Sequence, residues 1–232
     1  MRVFRRSSLT IAFLAVLSAP AAADMSFRAV TLEEPSLCKP QCPTLILAEG
    51  EITRASAQSF VEFVRRQLPA RGRGLGNVVF VDSPGGSVTG SMSLGTVWRR
   101  LGTTVIVARP EVGQPGWLAS ENTSTSRVRA SRCFSACVYA LMGATRRIVP
   151  EGSRVGVHQS HKIDLMRDPS GSGPSIRELH GSDEPTAALR AYARVMGVDS
   201  ALIELAQRTP PQDFRILTAN EIRRFRLSNS KL

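Results

Sequence analysis

Residues 77–101 read NVVFVDSPGGSVTGSMSLGTVWRRL. The run from Val78 to Val81 is apolar and rich in β-branched residues, and it stops at a Pro-Gly-Gly turn, so it reads as a strand buried on both faces. Past the turn, Val88, Met92, Leu94 and Val97 return at helical spacing. A strand, a glycine turn and a helix in succession form the basic unit of an α/β fold, and the flanks repeat it. Upstream, TLILAEGEI (44–52) reads as a strand that ends in a turn at Gly50, and RASAQSFVEFVRRQL (54–68) carries Phe60, Val61, Val64 and Leu68 on one helical face. Downstream, TTVIVAR (103–109) reads as a second buried strand. This alternation predicts an α/β protein with a parallel-rich sheet and right-handed crossovers.

The next segment, 110–132, is a long polar connection, a length uncommon for a loop without a function. CFSACVYALMGA (133–144) reads as a short buried helix, and RRIVP (146–150) and SRVGVH (153–158) as strands. From 161 to 184 the composition shifts to Gly, Ser, Pro and charge, which predicts a flexible insertion. Helical spacing then returns in PTAALRAYARVMG (185–197), DSALIELAQR (199–208) and TANEIRRFRL (218–227). In the last of these, Thr218 is the expected N-cap and Glu221 completes a capping box.

The chain opens MRVFRRSSLTIAFLAVLSAPAAAD: arginines at 2, 5 and 6, a short apolar stretch, then small residues at 21–23. That order is the grammar of a signal peptide, so residues 1–23 are set aside and a periplasmic or secreted protein is expected. The apolar stretch is shorter than the roughly 20 residues a permanent anchor needs, so no stable membrane anchor is expected. The remainder, 24–232, fits a single domain. Without the three leader arginines the net charge of +11 falls to about +8. Aromatic residues are not interleaved with the arginines, so no nucleic-acid partner is expected.

The four cysteines form two C-x3-C pairs, Cys38/Cys42 and Cys133/Cys137. In an exported chain they are disulfide candidates of open connectivity. A four-cysteine zinc site would ordinarily use C-x2-C spacing, so no metal site is expected.

Three features carry possible chemistry. In SRCFSACVYALMGA (131–144), Ser135 stands at a predicted helix start, where serine serves either as a nucleophile or as a helix cap. The following amide, Ala136, can donate to a developing oxyanion. The Gly85–Gly86 turn lets backbone approach a substrate with no Cβ in the way. His158 ends an apolar strand, either as a structural residue or as a general base reaching across from a neighbouring strand.

Taken in order, GEI (50–52), DSPGGSVTGSMSLG (82–95) and MGATRRIVPEGSRVGVHQ (142–159) resemble the ClpP/crotonase superfamily and, within it, ClpP-like serine peptidases. The segment C-x-S-A-C is similar to that of exported ClpP-like proteins of Gram-negative bacteria. The resemblance covers roughly residues 45–160. It implies a ClpP/crotonase-like spiral of β-β-α units with C-terminal helices, a peptide or protein substrate, no cofactor and a homo-oligomer. It also implies Ser135 as nucleophile, His158 as base, and Gly85, Gly86 and Ala136 as oxyanion donors. Phenylalanine and two cysteines flank the serine where the family has small residues, and sliding the match by two positions would nominate Cys137 as nucleophile.

In that family an aspartate from the C-terminal helical region orients the histidine. Here AQRTPPQDFRILTANEI (206–222) offers Asp213, a few residues beyond the matching place, with Lys162 and His161 as auxiliaries. The resemblance therefore implies an exported serine hydrolase, with a catalytically weak binding or scaffold protein as the alternative. An acyl-CoA enzyme of the crotonase kind is disfavoured because its substrate is cytosolic.

Overall fold

The computed structural model describes residues 23–31, 44–71, 75–110, 128–159, 161–167, 174–180 and 183–230. The expected signal peptide up to residue 22, Cys38 and Cys42, and residues 111–127 of the polar connection lie outside the described residues.

The fold is mixed α/β, and its central sheet has the order β1-β2-β3-β4-β8. In it, β2 (Thr44–Glu49), β3 (Leu75–Asp82), β4 (Thr104–Ile106) and β8 (Arg146–Ile148) run parallel. β1 (Ser26–Thr31) pairs antiparallel with β2 at the edge. The parallel order follows from the crossovers: α1 (Ser56–Arg71) links β2 to β3, and α2 (Val88–Arg100) links β3 to β4.

Side-chain alternation then sends Ile46, Ala48, Val79, Val81 and Val105 into the larger core with the helices. Leu45, Leu47, Phe80 and Ile106 go into a second cluster on the other face. Burial on both faces is why these strands are apolar almost throughout.

The end of the expected strand 103–109 is a separate strand, β5 (Ala108–Pro110), which pairs antiparallel with β6 (Val128–Ala130) of the polar connection. A second sheet, in the order β12-β9-β7, is built from β7 (Arg132–Phe134), β9 (Arg154–Val157) and β12 (Arg215–Ile216). The described part of the segment expected to be a flexible insertion contains an antiparallel strand pair. Its strands are β10 (His161–Arg167) and β11 (Pro174–His180), followed by α4 (Asp183–Val195). Its polarity hid the pairing, because a ladder is satisfied by backbone groups whatever the side chains are.

The helix α3 (Cys137–Gly143) is fully buried. It lies so close to α2 that a Cβ on Gly143 would come within 2.2 Å of the Gly95 carbonyl oxygen. Its C-terminus is tied down by Arg147, only 3% exposed, whose guanidinium donates to the carbonyls of Ala144 at 2.9 Å and Arg226 at 2.9 Å. Burial, and then the charges of Arg99 and Arg226, push the Arg147 pKa down to about 10. The chain finishes with α5 (Ala201–Gln207) and α6 (Ala219–Arg224), and α6 carries the expected Thr218–Glu221 capping box.

Candidate active site

The strand β7 and the helix α3 are joined by Ser135 and Ala136, and Ser135 adopts φ 53°. A non-glycine residue in the left-handed region costs free energy, and such residues persist where the surrounding structure holds them. Three contacts do so here. The Ser135 N–H donates to the Gly156 carbonyl at 2.8 Å. The Val138 N–H donates to the Ser135 carbonyl at 3.1 Å. A disulfide between Cys133 and Cys137, with Cα atoms 5.2 Å apart, closes the turn around Ser135. Cys137 is therefore no thiol nucleophile, since its sulfur is bonded to that of Cys133.

Parallel pairing of β7 with β9 matches Phe134 to Gly156, which places the residues just beyond both strands side by side. As a result His158 Nε2 lies 2.7 Å from Ser135 Oγ. The cap role is not used: the N-cap of α3 is Ala136, and its side chain makes no capping hydrogen bond.

The glycine turn approaches from the other side. The Ser83 N–H donates to the Arg132 carbonyl and the Phe134 N–H to the Ser83 carbonyl, at 2.9 and 3.1 Å, so the turn is laced to β7. At Gly85, φ 113°, an added Cβ would lie 2.8 Å from Ser135 Cβ and 2.7 Å from the Phe134 carbonyl oxygen. No residue with a side chain fits there.

The two glycines differ in their amides. Gly85 N–H donates to Ser83 Oγ at 3.1 Å, so it is engaged within the turn. Among the described residues, no acceptor takes the N–H of Gly86 or of Ala136. Asp82 anchors the arrangement. Its carboxylate accepts the Arg132 backbone N–H at 3.3 Å and pairs with the Arg109 guanidinium.

Asp213, the acid expected at the third position, lies on an exposed turn. His158 Nδ1 faces the carbonyl oxygen of Pro211 at 2.9 Å, while Asp213 is exposed and its N–H donates to the Pro210 carbonyl at 3.0 Å. The reason lies in β12. It pairs antiparallel with β9, Arg215 opposite Val157, so the chain before Arg215 runs beside His158 and presents backbone to it. The same pairing brings the Phe214 ring to 4.6 Å from the imidazole centroid. Pro211 and Phe214 were invisible in the sequence, because a two-residue strand gives no periodicity and a carbonyl belongs to every residue. His161 and Lys162, the expected auxiliaries, open β10, where they pair with His180 and Leu179.

A carbonyl oxygen only accepts, so the N–H of the neutral imidazole must sit on Nδ1. Nε2 then carries the lone pair and accepts the Ser135 hydroxyl proton. This is the tautomer a general base requires.

No family model matches this chain, and no curated protein matches it. Among solved structures, it is similar to the 1510-N membrane-bound stomatin-specific protease in a serine-to-alanine variant. That likeness has 16% identity and a TM-score of 0.48, covering 80% of this chain and 77% of that one. A lysine-to-alanine variant of the same protease, in complex with a substrate peptide, gives 17% identity and a TM-score of 0.47, covering 80% and 73%. At that distance neither neighbour assigns a role to any residue here.

Among the described residues, no group of three His, Cys, Asp or Glu is placed to hold a metal ion. No described helix is long and apolar enough to cross a membrane.

Proposed function

We propose that this chain is an exported serine hydrolase of the ClpP-like kind, acting on peptide bonds of peptide or protein substrates. The observation that carries this reading is the 2.7 Å contact between Ser135 Oγ and His158 Nε2, made from a left-handed turn between a strand and a helix. In this reading Nε2 takes the hydroxyl proton as Oγ attacks the substrate carbonyl carbon, and the carbonyl π pair moves to oxygen. The amides of Gly86 and Ala136 donate to that oxyanion. As the intermediate collapses, the C–N bond breaks and the imidazolium gives its Nε2 proton to the leaving amine. Water then attacks the acyl-serine ester by the same route, releasing the acid and restoring Ser135.

The Pro211 carbonyl holds the imidazole in the tautomer this route needs, and its dipole favours the imidazolium. The exposure of Asp213 favours a second reading, a binding or scaffold protein on the same fold with little or no turnover. The signal-like leader and the closed Cys133–Cys137 pair support a periplasmic or secreted location. Outside the cytoplasm an ATP-driven partner has no fuel, so the proposed activity is unaided, in a homo-oligomer.

The test is intact mass after exposure to a fluorophosphonate probe. One adduct on the wild type that is lost in Ser135→Ala supports the hydrolase. A folded wild type that takes no adduct overturns it and leaves the binding protein.

A further inference from the structure

Phe214 is 47% exposed, an unusual place for a large apolar side chain unless it covers something. It covers His158: the ring centroids are 4.6 Å apart and the planes are inclined at 42°. It also meets Phe134, the residue before Ser135, at 5.4 Å and 36°. Phe134 in turn lies under the Arg154 guanidinium, 5.6 Å from the ring centroid. An aromatic shelf thus runs from the strand that carries the serine to the face of the histidine.

We propose that Phe214 is the positioning residue of the Ser135–His158 pair, acting through ring contact with the imidazole; this rests on the hydrolase reading above. The hydrogen bond from Nδ1 to Pro211 fixes one direction in the imidazole plane and does not itself resist rocking about that line. A flat aromatic neighbour does resist it, so Nε2 stays aimed at Ser135 Oγ. The negative face of a phenyl ring also attracts the imidazolium that forms when Nε2 takes the proton. The contact therefore strengthens as the reaction proceeds, as a catalytically useful interaction must. Phe214 reaches this place because β12 pairs with β9 immediately after it, Arg215 opposite Val157.

The test uses the full mature chain and three proteins: wild type, Phe214→Leu and Phe214→Tyr. Leucine keeps the apolar bulk without a π face, and tyrosine keeps the face. Fluorophosphonate labelling is resolved into probe binding and the rate of the bond-forming step. The His158 Nδ1–H proton resonance, which needs no turnover, is recorded alongside melting temperature.

The expected result is a bond-forming rate about 3- to 10-fold slower in Phe214→Leu, the size of one aromatic contact. Probe binding and melting temperature stay unchanged, the Nδ1–H resonance broadens, and Phe214→Tyr restores both rate and resonance. Equal rates and equal resonances in wild type and Phe214→Leu overturn the inference while leaving the hydrolase standing. A loss in Phe214→Leu confined to probe binding overturns it as well, since that makes the ring a substrate contact. A wild type that does not label removes the hydrolase reading and this inference with it.

Discussion

His158 Nδ1 lies 2.9 Å from the carbonyl oxygen of Pro211, and this neutral contact stands where a serine hydrolase ordinarily places a carboxylate. A carbonyl selects the imidazole tautomer as well as a carboxylate does, because both only accept. The carbonyl brings a dipole to Nδ1 where a carboxylate would bring a full charge. The Ser135–His158 pair is therefore oriented for proton transfer, and the consequences are measurable.

Asp213→Asn is expected to change the phosphonylation rate by no more than about twofold, the range of an ordinary surface substitution. Replacing Pro210 and Pro211 together by glycine is expected to slow it by about tenfold, because the carbonyl that selects the tautomer then moves with a freed loop. Labelling time courses check both. A large loss in Asp213→Asn alone would restore the carboxylate to the triad.

Gly85→Ala places a methyl carbon 2.8 Å from Ser135 Cβ and 2.7 Å from the Phe134 carbonyl, at φ 113° where L residues are strained. The backbone must give way, and labelling is expected to fall at least about 100-fold, the scale of a misplaced reacting group. Gly102→Ala meets nothing within 4 Å at φ 66°. It costs about 1 kcal/mol of stability from the backbone conformation alone, with labelling retained. Denaturant melts of the two variants separate the effects.

Removing the disulfide by Cys133→Ala with Cys137→Ala opens a short loop, and the chain-entropy relation gives about 2 kcal/mol of lost stability. Because that loop contains Ser135, labelling is expected to fall by a larger factor than in a control variant of equal stability. A double variant that loses stability but labels at the wild-type rate would show that the backbone hydrogen bonds alone hold the turn.

Alkaline stability is set in part by two buried phenols, Tyr139 on α3 and Tyr192 on α4. Burial pushes Tyr139 up to about 12 from its ordinary 10, and it raises Tyr192 too, against a smaller opposing effect of Arg99. A folded pKa above the unfolded one means that the contribution is intact below pH 10 and is lost as pH rises through about 12. Melting temperature is expected to drop across that window, and Tyr139→Phe is expected to shallow the drop. Equal alkaline slopes in the two proteins would contradict it. Tyr192 also donates to the Tyr139 carbonyl at 3.0 Å, so Tyr192→Phe would lose that hydrogen bond at neutral pH and is the poorer probe.

The sequence alone determined the parts of this protein whose cause is local. Apolar runs such as NVVFVD had to be strands buried on both faces, and the spacing from Val88 to Val97 had to be a helix. The paired glycines marked a turn, and Thr218 with Glu221 marked the start of the last helix. Ser135 and His158 were recognisable as candidates because residue type and order carry chemistry in themselves. Their 2.7 Å contact was decided only by the register of β7 against β9, which no single segment encodes.

The third partner was decided further away still, by a two-residue strand near the C-terminus that lays Pro211 and Phe214 against His158. The edge strand β1 and the β10–β11 hairpin were likewise settled by pairing rather than by pattern. Local propensity follows from each residue and its near neighbours, whereas backbone pairing depends on where distant segments meet. An orienting group that is a main-chain carbonyl leaves no mark on the side chains at all.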